Sequence, residues 1–244
     1  MNRVFVDSGQ VSGGGLVVTG EDVSHMKNVL RMKPGDDFEA VDENGMVHTC
    51  RILSLSPECI ESEVLFSEES GVELPNPIYL FQGLPKSDKM ELIIQKAVEL
   101  GVHEIVPVST RRTVVRLDEK KAAAKTARWQ TIAEAAAKQS KRAVIPKVRE
   151  AVSFSEAMKE ADRLDLVLIP YECADDMEGT KKILSEIRRG CAVGVFIGPE
   201  GGFEKEEVEE AVRHGAKPVT LGKRILRTET AAITMLSILM FQLS

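Results

Sequence analysis

The sequence lacks the signatures of several common function classes. None of its four cysteines, Cys50, Cys59, Cys173 and Cys191, forms a CxxC pair, which excludes a zinc ribbon and a thioredoxin-like redox motif. Its four histidines, His25, His48, His103 and His214, show neither H-x3-H nor HExxH spacing, so no metal is expected. There is no G-x-S-x-G, and no Ser–His or Cys–His arrangement stands out, so hydrolase chemistry has no support. The start, Met1–Asp7, has no long apolar run of the kind a secretory signal needs. The most apolar stretch, Ala231–Leu243, carries Thr234, Ser237 and Gln242 and falls short of the roughly 20 residues of a membrane helix. It reads as a buried helix. Four scattered cysteines in a chain of this size fit reduced thiols, hence a cytoplasmic protein with no membrane partner. Aromatic residues are scarce, at 5%.

The chain does have length enough for a real core. Its 244 residues correspond to roughly one or two domains. A hydrophobic fraction of 43% with 29% charged residues reads as globular and not disordered. The net charge of −6 rules out a strongly basic nucleic-acid binder on average, though not locally. Residues 1–72 hold five basic and thirteen acidic residues, whereas 109–149 hold twelve basic and three acidic. Such a stretch is the footprint of a nucleic-acid contact, and equally of a solvated helix face rich in lysine.

Residues 1–72 read as mostly β. Strand candidates are Arg3–Val6, Leu16–Thr19, Asp37–Asp42, Met46–Leu55 and Cys59–Phe66, with one helix over Asp22–Arg31. Asn44-Gly45 is a strong hairpin signal. Ser67–Gly71 reads as a linker, which places the boundary near residue 72. Residues 73–244 change rhythm. Strands at Ile78–Phe81, Ile105–Val108, Leu164–Ile169, Cys191–Ile197 and Pro218–Leu221 are interspersed with helices. The helices begin after Ser87 and span Asp118–Ala143, Glu204–His214 and Thr228–Leu243. That alternation implies an α/β domain with a parallel sheet.

The candidate chemistry lies at strand exits, where open α/β sheets bind ligands. Gly198-Pro199-Glu200-Gly201-Gly202-Phe203 follows an apolar strand and opens a helix. An ordinary βα turn explains its glycines, and it matches neither GxGxxG nor the P-loop. The second exit, Leu221 through Ala231, has Thr228 to cap the next helix and Glu229 to suit its positive end. Lys223, Arg224 and Arg227 meet the wrong end of that helix dipole, and a function explains them better. Leu168-Ile169-Pro170-Tyr171-Glu172 is a third exit. On the long helix, Lys138 and Arg142 fit either a helix end or phosphate contacts. Phe203 is a base-stacking candidate, or simply a core residue.

Gly198–Gly202 and Leu221–Ala231 together resemble the two signature blocks of the SPOUT methyltransferases, and more narrowly those of the bacterial 16S ribosomal RNA uracil-N3 methyltransferases. Lys86–Gly101, Glu134–Arg142 and Met1–Val6 resemble further family blocks, with Lys138 where an acidic residue is common. The resemblance spans nearly the whole chain. It implies an α/β fold in which a trefoil-knotted parallel-sheet domain, residues 73–244, follows a small PUA-like RNA-binding β-barrel, residues 1–72. It implies a homodimer that uses S-adenosylmethionine. The cofactor would lie against Pro170, Gly198, Gly202, Leu221, Ile225 and Leu226, with Glu172, Ile197, Gly222 and Thr230 beside them.

The implied substrate is a decoding-region uridine of 16S ribosomal RNA in the small ribosomal subunit. Uracil N3 must lose its proton to attack the sulfonium methyl, and Arg227 is the expected stabiliser of the resulting anion. The proton acceptor is left open between Glu229 and water. Expected RNA contacts are Arg3, Lys86, Arg111, Arg112, Lys138, Lys141, Arg142 and Arg224. Two alternatives stand: a SPOUT enzyme acting on transfer RNA, and a non-catalytic RNA-binding ribosome-assembly factor.

Overall fold

Alternating apolar residues in the first part of the chain turn one sheet face inward. In the computed structural model, which describes residues 2–114, 119–171 and 176–244, that sheet has six strands. They are β1 (Arg3–Phe5), β2 (Val11–Ser12), β3 (Gly15–Thr19), β4 (Asp37–Val41), β5 (Met46–Leu55) and β6 (Cys59–Glu69). Their order is β1-β4-β5-β6-β3-β2. Leu16, Val18, Phe38, Ile52 and Ile60 are buried in its core with Met26. The Asn44-Gly45 signal is a β4–β5 turn in which the Asp42 carboxylate accepts from the N–H groups of Asn44 at 2.9 Å and Met46 at 3.0 Å.

Two expectations change here. Ser67–Glu69, read as linker, continue β6 because they pair with His48, Val47 and Met46. The Asp22–Arg31 helix is a short α1 (Glu21–Ser24) that widens into a π-helical turn, His25–Val29.

The second sheet has seven strands: β7 (Ile78–Gly83), β8 (Glu104–Ser109), β9 (Lys147–Val148), β10 (Val152–Ser153), β11 (Leu166–Pro170), β12 (Val193–Ile197) and β13 (Lys217–Val219). All are parallel, in the order β10-β8-β7-β12-β11-β13, with β9 on β8. The helices are α2 (Lys89–Glu99), α3 (Glu119–Gln139), α4 (Phe154–Ala161), α5 (Met177–Ser185), α6 (Lys205–Arg213) and α7 (Thr228–Leu243). Phe81, Val106, Val167, Ile169 and Phe196 turn to one face and pack with Phe154 and Met158 of α4 and Val208 and Ala211 of α6. Phe81 and Phe196 stack at 4.3 Å. On α7, Ala232, Met235, Leu236 and Leu239 are buried, and the helix packs against α2, α5 and β12.

The α3 helix ends earlier than the sequence implies. Lys141 adopts a left-handed φ of 58°, and the Arg142 N–H returns to the Ala137 carbonyl at 3.0 Å, closing a Schellman-type turn. The chain divides into two compact units, Met1–Glu73 with Ala137–Ile145, and Leu74–Ala136 with Pro146–Ser244. The return segment 137–145 therefore belongs with the N-terminal strands, which no single cut in the sequence shows. Ala143 packs there on Val41 and Val47.

Candidate active site

Because the second sheet is parallel, the exits of β11, β12 and β13 share one edge. Two of them build an open cleft of about 100 Å³. It is lined by Pro170 and Tyr171 after β11, by Thr220, Leu221, Gly222, Arg224, Ile225 and Leu226 after β13, and by Ala231 of α7. Its shape is set by backbone bonds. The Tyr171 N–H donates to the Val219 carbonyl at 3.1 Å, continuing the ladder. The Thr220 N–H donates to Thr180 Oγ1 on α5 at 3.0 Å, and the Gly222 N–H to Thr220 Oγ1 at 3.1 Å. Gly222 has a φ of 104° with nothing crowding its Cα, so conformation, not space, calls for glycine there. An apolar wall with a few fixed polar groups is the usual build of a small-molecule site.

The glycine loop after β12 does not line the cleft, but it is fastened from several sides. A Cβ on Gly198 would lie 3.0 Å from the Gly202 backbone, so the loop folds tightly on itself. The Glu200 carboxylate accepts from the Lys86 N–H at 3.1 Å and meets Lys89 Nζ at 3.1 Å. Lys89 Nζ also lies 3.3 Å from Glu229 on α7. Partial burial raises the Glu200 pKa, but the backbone N–H groups of Glu200 and Lys86 and the Lys89 ammonium outweigh it and hold the carboxyl below its ordinary range. Glu200, foremost, and Glu229 raise the pKa of Lys89. Thr228, expected to cap α7, is instead its first residue, and Arg227 is the N-cap with no side-chain capping bond. The Thr228 hydroxyl donates to the Gly198 carbonyl at 2.7 Å.

Beside the cleft, Lys223, Arg224 and Arg227 are exposed, and none of them has an ion-pair partner among the described residues.

Comparison with known proteins agrees along the whole chain. A family profile described as an RNA methyltransferase domain matches residues 72–240, and one described as an RNA methyltransferase PUA domain matches 18–65. Ribosomal RNA small subunit methyltransferase E of Bacillus subtilis is 37% identical over 92% of this chain and 89% of its own. The chain belongs to the ribosomal RNA small subunit methyltransferase E family. Two solved structures share its fold closely. The family protein from Neisseria gonorrhoeae, bound to S-adenosyl methionine, is 33% identical with a TM-score of 0.83, covering 97% of this chain and 95% of its own. A putative methyltransferase from Legionella pneumophila, in complex with the same cofactor, is 33% identical with a TM-score of 0.86, covering 97% and 96%.

Of the residues expected at the cofactor, Pro170, Leu221, Gly222, Ile225 and Leu226 line the cleft. Ile197 is the buried last residue of β12, with Gly198 and Gly202 following it, and Thr230 is exposed on α7, outside the lining. Glu172 lies outside the described residues. Tyr171, Thr220 and Ala231 line the cleft without having been singled out for it. For Tyr171 and Thr220, the signal was position directly behind an apolar strand. Arg227 is exposed at the start of α7.

Among the expected RNA contacts, Lys86, Lys141 and Arg224 are exposed. Arg111 and Arg112 are exposed but matched to Glu206 at 3.4 Å and Glu204 at 2.8 Å, and Lys138 pairs with Asp22 at 2.8 Å. Arg3 and Arg142 are corrected. The Arg3 side chain is 7% exposed, pairs with Glu39 at 2.8 Å and donates to the carbonyls of Lys141 and Arg142. The Arg142 side chain is also 7% exposed and is paired with Glu73. Both tie the return segment to the N-terminal unit, and neither presents its charge to a phosphate. Phe203 is a core residue, 4% exposed and 5.6 Å from the Phe154 ring, which leaves Tyr171 as the aromatic ring at the site.

Proposed function

We propose that this protein uses S-adenosylmethionine to methylate uracil N3 of a decoding-region uridine of 16S ribosomal RNA in the small ribosomal subunit, acting as a cytoplasmic homodimer. The observation that carries the reading is the cleft at the β11 and β13 exits, flanked by cations with no ion-pair partner among the described residues, in a chain of this family. The cleft fits the cofactor in kind. Pro170, Leu221, Ile225, Leu226 and Ala231 offer an apolar slot for an adenine, and the backbone of 220–226 offers N–H and C=O groups for its edge. The bound cofactor supplies an electrophilic methyl group on a sulfonium.

The chain's own residues have to make N3 a nucleophile. Deprotonation spreads negative charge over N3, O2 and O4 of the base. A fixed guanidinium stabilises that charge, and Arg227, rooted at the first turn of α7, is the residue assigned to it. Glu229 is less accessible to the base than water, because its side chain is only 14% exposed and lies 3.3 Å from Lys89 Nζ. Lys86, Lys141 and Arg224, with no ion-pair partner among the described residues, are the ones assigned to RNA phosphates, while Arg111, Arg112 and Lys138 would have to exchange an internal partner to reach them. The homodimer is supported by α7, which leaves Phe241 85% and Ile238 37% exposed. A knotted path is supported by the topology. β13 lies at the sheet edge beyond β11, yet α7, which follows it, packs back on α2 and β12.

The test is incubation with labelled S-adenosylmethionine and small subunits from cells lacking the uridine methylation, followed by mapping of the modified base. N3-methyluridine in the decoding region is the expected product. Label found only in transfer RNA would overturn the substrate, and a protein that binds no cofactor would overturn the enzyme.

A further inference from the structure

At the start of α7, Thr228 does something that helix capping does not explain. Its hydroxyl turns away from the free N–H groups of the helix and donates to the Gly198 carbonyl at 2.7 Å. The same oxygen accepts from Gln82 Nε2 at 3.0 Å, and Gln82 Nε2 also donates to the Gly83 carbonyl at 2.9 Å. Gln82 is 0% exposed, near the end of the central strand β7, and Thr228 is 4% exposed. The amide orientation is therefore fixed. A carbonyl can only accept, and Thr228 has already given its one proton to Gly198, so Nε2 and not Oε1 faces both. Oε1 has no donor among the described residues. Buried polar groups of this kind are costly to leave unpaired, so the amide sits there for what its Nε2 holds.

We propose that Gln82 is a positioning residue for methyl transfer. The chain from Gln82 through Thr228 to Gly198 locks the glycine loop, the N-terminus of α7 and β7 into one arrangement. Arg227 directly precedes Thr228, so the same lock fixes the backbone that carries the assigned guanidinium. Lys89, lying between Glu200 and Glu229, ties the loop to α7 a second time. The proposal rests on the methyltransferase reading above.

The chemistry of the lock makes it testable at constant shape. In Gln82→Glu the buried carboxyl is favoured in its neutral form and has one proton where the amide has two, so it cannot donate to both Gly83 and Thr228. Thr228→Val removes the hydroxyl at nearly constant volume, and Thr228→Ser retains it. Full-length variants are compared by cofactor titration calorimetry, steady-state kinetics and thermal unfolding. Thr228→Val and Gln82→Glu are expected to lose about thirtyfold or more in kcat/KM, measured where thermal unfolding shows each still folded, with a lowered melting temperature beside it because both leave buried groups unpaired. Thr228→Ser is expected to recover to within about threefold of wild type. Thr228→Val within twofold of wild type, or Thr228→Ser as impaired as Thr228→Val, overturns the proposal. So does a loss of activity that merely tracks loss of folded protein in both Thr228→Val and Gln82→Glu. A wild-type protein that fails to bind S-adenosylmethionine overturns the underlying reading instead, and is seen before any variant is made.

Discussion

Arg111, Arg112, Arg128, Arg142 and Arg149 each face a glutamate, whereas Lys223, Arg224 and Arg227 face none among the described residues. The first group lies in the most basic stretch of the chain, the second in an acidic part of it. A run of positive charge in sequence thus marks a set of struts, and a short cluster in a less basic region is the one left without counter-charges among the described residues. The difference follows from where the counter-charges lie. Glu73, Glu204 and Glu206 are far along the chain from the arginines they meet. The residues after β13, by contrast, leave the sheet edge at a helix N-terminus, where the dipole disfavours cations. An unpaired cation at the positive end of a helix has no structural reason to be there, which makes it informative.

The largest effect should come from the free cluster. Arg227→Ala is expected to lower turnover by about a thousandfold, the scale of losing one group that stabilises charge in the transition state. Its cofactor affinity, read by calorimetry, should stay within about tenfold. Near-normal turnover in that variant would remove Arg227 from the mechanism.

Next come the struts, which should show in stability and not in chemistry. Arg142→Ala leaves Glu73 without its buried partner and should cost about 2–3 kcal/mol in denaturant unfolding. Arg128 has a side chain 67% exposed, and Arg128→Ala should cost less than about 0.5 kcal/mol. Equal losses would mean that burial does not separate the two kinds of pair.

The smallest effect is one of pH. Glu200 titrates below its ordinary value of 4.5 in the folded protein. Its contribution is therefore present above that value and is lost as pH falls through the lowered one. Thermal unfolding of Glu200→Gln should accordingly be flatter than wild type below pH 4.5. Parallel curves would contradict the lowering of the Glu200 pKa by the N–H groups of Glu200 and Lys86 and by Lys89.

What could be read in advance follows the range of the forces involved. The Asn44-Gly45 turn and the apolar α7 obey local rules and were legible. So were the apolar strands of the parallel sheet, since burial on both faces leaves a near-continuous run. β9 and β10 have two residues each, too few for a periodic signal, and α4 and α5 were not singled out either. The cleft was half legible, because its lining follows strand ends. The role of Thr228 was not, because a threonine before an apolar helix looks like a cap and its partner Gly198 stands 30 residues away. The pairing of Arg142 with Glu73, 69 residues apart, was hidden for the same reason.

The most direct test of the contrast between the two basic groups is the salt dependence of RNA binding. Each phosphate contact to a single strand contributes about 0.7 to the slope of log affinity against log salt. Lys223→Ala combined with Arg224→Ala should reduce that slope by about 1.4, and Arg111→Ala combined with Arg112→Ala by less than about 0.5. The reverse result, a large change at Arg111 and Arg112 and none at Lys223 and Arg224, would contradict the account.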